Sequence, residues 1–237
     1  MKKIVKKTVA KTKVKKNVTG QVVGDPKFAA LSKIDVRSFV LKNIKSYNGK
    51  LKYANDRLQK ISSGSARVVY KVDDEKVLKI AKNKKGIGQN SIESDWGLQR
   101  MSDIVARIFD TNEDHFWVEM ELAKKLTPNR FKQLSGMSIN EVQDILNVMD
   151  ILNNSSRRKY LNPQQLKELH DEFSQKVNDN EFLSSLTDMI MNFGMKYPGD
   201  FGRVNSYGEV VRDGEPTIIL VDFGLTESVW NDYYNVN

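Results

Sequence analysis

The chain has 237 residues, 39% of them apolar, which is enough for one large domain or two small lobes around a real core. It has no cysteine and only two histidines, His115 and His170, so disulfides, thiolate chemistry and a histidine-rich metal site are excluded and an intracellular or redox-indifferent setting is favoured. Of its 38 lysines and arginines, eight are lysines in residues 1–20, where there is no acid; the other 30 balance the 30 aspartates and glutamates, so the whole net charge of +8 belongs to that arm.

The arm, "MKKIVKKTVAKTKVKKNVTG", is too rich in lysine and too poor in large apolar residues to fold alone. It reads either as a solvated tail or as an electrostatic tether to nucleic acid, a membrane surface or an acidic partner, and without interleaved aromatics it would not read base sequence. It has no continuous apolar region of the kind a secretory signal carries, and no run in the chain approaches the roughly 18 apolar residues of a membrane span. The reading divides the chain into a basic arm (1–24), a helical extension (25–60), a strand-rich part (61–126) and a helical part (127–237).

In chain order, the spacing of Ile34, Val36, Phe39, Val40 and Ile44 predicts a short amphipathic helix started by Asp35. "ARVVYKV" and "KVLKIA" around Asp73-Asp74-Glu75 predict a β-hairpin. The two glycines of "KKGIGQNSIESDWGLQRM" suggest a break, with a helix starting at Asn90 and Glu93 completing a capping box. "DIVARIFD" and "HFWVEMEL" predict two more strands. Three helices follow: one with a Ser138/Glu141 capping box, one with Asn162 as cap and Pro163 at its first position, and one ending at Gly194. A second hairpin, "YGEVV" to "TIILVDFG", turns at Arg212-Asp213-Gly214-Glu215 and ends thirteen residues before the C-terminus.

The polar residues fall into a pattern. "ISSGSARVVYKV" contains a small-residue turn, Ser62-Ser63-Gly64-Ser65-Ala66, through which a backbone can approach phosphates closely, although an ordinary hairpin has the same look. Lys79 shares a strand face with Val77 and Ala81; if turned inward, its ammonium needs an anionic partner, for which Glu93 is the nearest choice, and otherwise it is an exposed strand lysine. Asp200 is followed five positions later by Asn205, then by the hairpin and by Asp222-Phe223-Gly224.

In this order the motifs resemble the protein-kinase fold family, and in the "Q-N-x-x-E" helix start, the "G-D" loop and the short C-terminus the compact kinase-like proteins of bacteria and tailed phages. The resemblance covers residues 61–237. It implies an α+β, two-lobe fold with a small β-rich N-lobe carrying one helix and a mostly helical, minimal C-lobe. It implies ATP and Mg²⁺ as cofactors, with Ser62, Ser63, Gly64, Ser65 and Lys79 at the phosphates, and with Glu119, Glu121 and Ala123 in the hinge that reads the adenine edge, a stretch that is otherwise an edge strand and its connection. Asp200 would be the catalytic base, Lys79 and Glu93 the supporting ion pair, and Asn205 and Asp222 the metal ligands. Arg203 would neutralise the transferring phosphate or face solvent as a loop cation.

The implied reaction is phosphoryl transfer to a protein or small-molecule hydroxyl, most simply as a Ser/Thr protein kinase. The alternative is a pseudokinase that serves as a nucleotide-binding, virion-associated or nucleic-acid-associated module. The implied location is cytoplasmic, in a host or in a virion if phage-encoded. Two departures stand out. Arg67 occupies a place where the family has glycine, and Pro198-Gly199 precede Asp200 where protein kinases have histidine and arginine. The thirteen-residue tail is too short for an activation segment, so Trp230, Tyr233 and Tyr234 are expected to pack it against the helices of 138–195.

Overall fold

The computed structural model describes residues 40–101 and 103–235. The basic arm and the start of the helix expected at Asp35 lie outside the described residues, and residues 40–43 are helical. The chain divides into two units, 1–43 and 44–237, and the fold below is that of the second.

That unit is α+β, with a β-rich part followed by a mostly helical one, as the order of elements implied. Helix α1 (Tyr47–Asn55) leads into a sheet of β1 (Gln59–Ser63), β2 (Arg67–Lys71), β3 (Lys76–Ala81), β4 (Ile108–Thr111) and β5 (Trp117–Glu121). The order is β1-β2-β3-β5-β4 and every neighbouring pair is antiparallel. Because side chains alternate along a strand, register decides which residues meet. Val69 lies opposite Lys79 and Lys79 opposite Val118, so these share one face with Arg67, Val77 and Met120. Val68, Tyr70, Leu78, Ile80 and Trp117 take the other face, where the Tyr70 hydroxyl donates to Asn55 of α1 at 2.9 Å.

Between β3 and β4 run α2 (Lys84–Glu93) and α3 (Trp96–Gln99). Here the sequence expectation fails: Asn83, not Asn90, caps α2, accepting from the Gly86 amide at 3.2 Å, and Glu93 closes the helix instead of starting it. Gly86 and Gly88 lie inside the helix. A Cβ on Gly86 would stand 2.3 Å from the Ala66 carbonyl oxygen, so that glycine permits close packing and is not a break. The strand expected from Asp103 begins only at Ile108, after an isolated bridge from Val105 to Leu220.

The helical part comprises α4 (Pro128–Ser135), α5 (Ile139–Asn153), α6 (Ser155–Arg158), α7 (Pro163–Asn178) and α8 (Glu181–Phe193). The caps are those the sequence signals, a capping box at Ser138/Glu141, Asn162 before Pro163, and Gly194 in the left-handed region (φ 57°) after α8; Gln165 completes a second capping box with Asn162 that was not expected. Two 3₁₀ turns, Gly199–Gly202 and Val204–Ser206, precede β7 (Tyr207–Arg212) and β8 (Glu215–Leu220), which form a small sheet with β6 (Lys124–Lys125). One apolar core joins both parts, running from Val77 and Met120 through Phe131, Leu146, Leu186 and Ile190 to Phe201, Tyr207, Leu220 and Phe223. Burial of this order, at roughly 25 cal/mol per Å² of apolar surface, holds the two parts as one body.

The tail corrects a second expectation. Helix α9 (Glu227–Tyr233) starts against the end of α8, where the Glu227 amide donates to the Gly194 carbonyl at 2.9 Å and Lys196 Nζ lies over the Trp230 ring, but Tyr233 and Tyr234 pack on α2: a Cβ on Gly88 would meet the Tyr233 ring at 3.1 Å, and the Gln89 amide donates to the Tyr234 hydroxyl at 3.3 Å. The reason is the short span from β8, whose end is bonded to segment 104–106 (Leu220 N–H to Ile104 O, 2.7 Å) and thereby directed toward α2.

Candidate active site

A cavity of about 830 Å³ opens between the five-stranded sheet and the β7–β8 hairpin. Its apolar wall is Ile61, Val69, Val77, Met120 and Leu122, with Tyr207 and Val221 opposite. At the polar end stand Arg67, Lys79, Asp200, Arg203, Asn205 and Asp222. An apolar slot with convergent charges at one end is the usual form of a site for a small, partly anionic ligand.

The loop at its rim is the β1–β2 turn. Ser62 and Ser63 are the last residues of β1, and Gly64 and Ser65 form the tip. The Gly64 amide donates to the Arg67 carbonyl (2.9 Å), Lys82 Nζ to the Gly64 carbonyl (2.9 Å) and Asn83 Nδ2 to the Ser65 carbonyl (3.2 Å), so the tip is latched to the start of α2. Ser62, Gly64 and Ser65 line the cavity; Ser63 does not.

Lys79 is turned inward and buried. Its Nζ donates to both oxygens of Glu93 at 3.0 Å and to the Val221 carbonyl at 2.5 Å. Glu93, fully buried behind it, also accepts from the Phe223 amide at 3.3 Å. The pair thus clamps segment 221–223, which carries Asp222, onto the sheet. Burial lowers the Lys79 pKa; the Glu93 carboxylate opposes that, and the Arg67 guanidinium adds to it.

Arg67 belongs to the same cluster, which the sequence marked only as a departure from a family pattern. Its guanidinium donates to Glu93 Oε2 (2.7 Å), to Asp222 Oδ1 and, at 3.4 Å, to Asn90 Oδ1. Burial works against its charge, but Glu93 and Asp222 outweigh burial and raise its pKa. Two buried cations therefore face two carboxylates.

Asp200 sits on the first 3₁₀ turn, which the buried Tyr207 fixes by donating its hydroxyl to the Phe201 carbonyl at 2.8 Å. Burial first, and Asp222 second, push the Asp200 carboxyl above its usual range, while Arg203, donating to it at 3.2 Å, pulls it back. Asn205 lies on the second turn and lines the same end of the cavity.

Of the hinge residues, Glu121 and Ala123 border the cavity and Glu119 does not. Glu119 pairs with Leu78 on the far face of the sheet and is buried there, and alternation turns the Glu121 side chain to that face as well. The Glu121 carboxylate is held by Arg212 (2.5 Å) and by the Arg107 amide (3.1 Å), which leaves its backbone as the part at the rim. The sequence reading did not expect Gln89, Trp230 or Tyr234 in the lining. Trp230 and Tyr234 stack with ring centroids 5.5 Å apart, and their spacing of four on one helix face was the signal available.

No family model matches the chain. No curated protein matches it either. Among solved structures, it is similar to SAICAR-synthase from Saccharomyces cerevisiae complexed with SAICAR, at 13% identity and a TM-score of 0.31, covering 70% of this chain and 73% of that one. It is also similar to the streptomycin–ATP–APH(2")-IIa ternary complex, at 13% identity and a TM-score of 0.29, covering 77% and 72%. A third is the GDP and kanamycin complex of APH(2")-IIia, at 12% identity and a TM-score of 0.30, covering 76% and 73%. Likenesses this distant carry no residue's role to this chain, so its chemistry rests on the geometry above.

Proposed function

We propose that this protein is an ATP-dependent phosphotransferase of kinase-like, two-lobe form that moves a phosphoryl group to a hydroxyl, most simply of a protein serine or threonine. The observation that carries the reading is the convergence, at the polar end of one cavity, of a buried lysine–glutamate pair with Asp200, Asn205 and Asp222. These residues are scattered over the chain, and an apolar slot beside them is the right kind of space for a base.

In this reading the adenine lies between Val69, Val77 and Met120 on one side and Tyr207 and Val221 on the other, against the backbone of Glu121 to Ala123. Ser62, Gly64, Ser65 and Lys79 hold the phosphates. Asp200 orients the acceptor hydroxyl and takes its proton as the oxygen bonds to the γ-phosphorus; the bond to the β-phosphate oxygen breaks and its electron pair leaves with ADP. Arg203, exposed beside Asp200, offers charge to the departing or arriving phosphate oxygens.

The donor set suits a magnesium ion: Asn205 and Asp222 offer oxygen ligands, and Asp222 is half exposed toward the cavity. Among the described residues no group of three or more His, Cys, Asp or Glu side chains forms a protein-only metal cage, which fits a cation that completes its shell with phosphate oxygens and water. When bound, such an ion supplies neutralisation of the phosphate charge.

Incubation with γ-labelled ATP tests the proposal. The wild type is expected to label itself or proteins of an extract, and Asp200→Asn to lose about 10²–10⁴-fold of that rate while still binding nucleotide. The ion pair of Arg67 with Asp222 favours a second reading, a pseudokinase that binds nucleotide without transfer; bound ATP with no label moved by the wild type would select it. Failure to bind ATP at all would overturn both.

A further inference from the structure

The charged side chains of the cluster pair with one another. Lys79 and Arg67 stand against Glu93 and Asp222, and Arg67, only 7% exposed, bridges the two carboxylates with separate nitrogens. Its position is imposed by the fold: Arg67 opens β2 directly after the turn, pairs with Ala81, and so projects onto the cavity face of the sheet. A divalent cation approaching Asp222 therefore meets a carboxylate with a guanidinium on one oxygen, and Asn205 adds only a neutral amide. The fork of an arginine matches phosphate oxygens as well as it matches carboxylates. Phosphates in the cavity would give Arg67 a second set of acceptors within its reach, in competition with the Asp222 carboxylate.

We propose that Arg67 is the resident counter-ion of Asp222, which keeps divalent cations out of the empty site and ties their entry to the arrival of phosphates. The proposal rests on the nucleotide-site reading above. It makes Arg67 a positioning residue acting through Asp222, and it makes metal and nucleotide mutually dependent ligands, since a coupling of affinities holds in both directions. A merely structural arginine would give no such effect, because its removal would leave metal affinity unchanged or worse.

The test uses the full chain without nucleotide, titrated with Mn²⁺ and followed by the electron paramagnetic resonance signal of the free ion. Wild type is expected to bind weakly, and Arg67→Met at least ten-fold more tightly. Adding Asp222→Asn to Arg67→Met should remove the gain. Arg67→Gln, which keeps a donor for Asn90 and is the milder change, gives the same reading should the methionine variant not fold, with circular dichroism melting as the check on both. Folded variants that bind Mn²⁺ no more tightly than wild type would overturn the proposal, as would a gain that survives Asp222→Asn. Because no nucleotide is present, this outcome is read separately from ATP binding by the wild type, whose failure would instead remove the phosphotransferase reading.

Discussion

Asp200 shows how a single residue ties chemistry to stability. Its carboxyl is held above the ordinary aspartate range by burial and by Asp222, so at neutral pH its ionised form is less favourable in the folded chain than in the unfolded one. The unfolded state gives up this proton more readily, and stability from this group is therefore full below the ordinary aspartate pKa of about 3.9 and is lost as pH rises through the higher folded value. Asp200→Asn removes that cost. The variant is expected to melt higher than wild type at pH 7, by about 2–4 °C for each kcal/mol relieved, with the gain shrinking to nothing toward pH 4. Differential scanning calorimetry across that range checks it, and an equal or lower melting temperature at pH 7 would count against a raised carboxyl at this position. The same raised value suits a base, which must hold a proton between acceptor and solvent.

Helix α2 decides whether the site exists, since it carries Glu93 to Lys79, Arg67 and Phe223. Two glycines seat it. A Cβ on Gly86 would collide with the Ala66 carbonyl at 2.3 Å and crowd Ala81 at 3.0 Å, and one on Gly224 would meet the Gln89 carbonyl at 2.4 Å. Gly86→Ala gains helix propensity, worth at most about 1 kcal/mol, but forces the helix off the hairpin, and overpacking of this kind costs about 1–3 kcal/mol. A net loss of stability in urea titrations is expected, where propensity alone predicts a gain. This helix also marks the limit of what the sequence made legible. The capping box of α5, the Asn162 cap of α7 and the glycine end of α8 were readable because all their partners lie within a few residues. Gly86 and Gly88 suggested a break because the reasons for them, the Ala66 carbonyl for one and the Tyr233 ring for the other, are not local. Arg67 could not be assigned for the same reason: its partner Asp222 is 155 positions away. The alternation that removes Glu119 from the cavity needed the register of β3 on β5, which no strand pattern gives by itself.

At the scale of the whole molecule, charge is segregated. Residues 1–20 hold eight lysines and no acid, and the remainder is formally neutral. Among the described residues no helix is long and apolar enough to cross a membrane. If the arm is a tether, each lysine that meets a phosphate releases a counterion, and the logarithm of the affinity falls with the logarithm of salt concentration at a slope of about −0.9 per contact on duplex DNA. Eight lysines bound the slope at about −7. The full chain is expected to bind a duplex of arbitrary sequence at low salt with a slope between about −4 and −7, and to lose that binding when residues 1–24 are deleted. An arm that acts only as a tether is expected to leave the melting temperature of the folded unit unchanged when it is removed. Fluorescence anisotropy at several salt concentrations, with full-length and truncated protein side by side, gives both numbers. Binding retained by the truncated chain would move the contact onto the neutral body, and an arm that binds duplex with a slope near zero would remove the electrostatic account altogether.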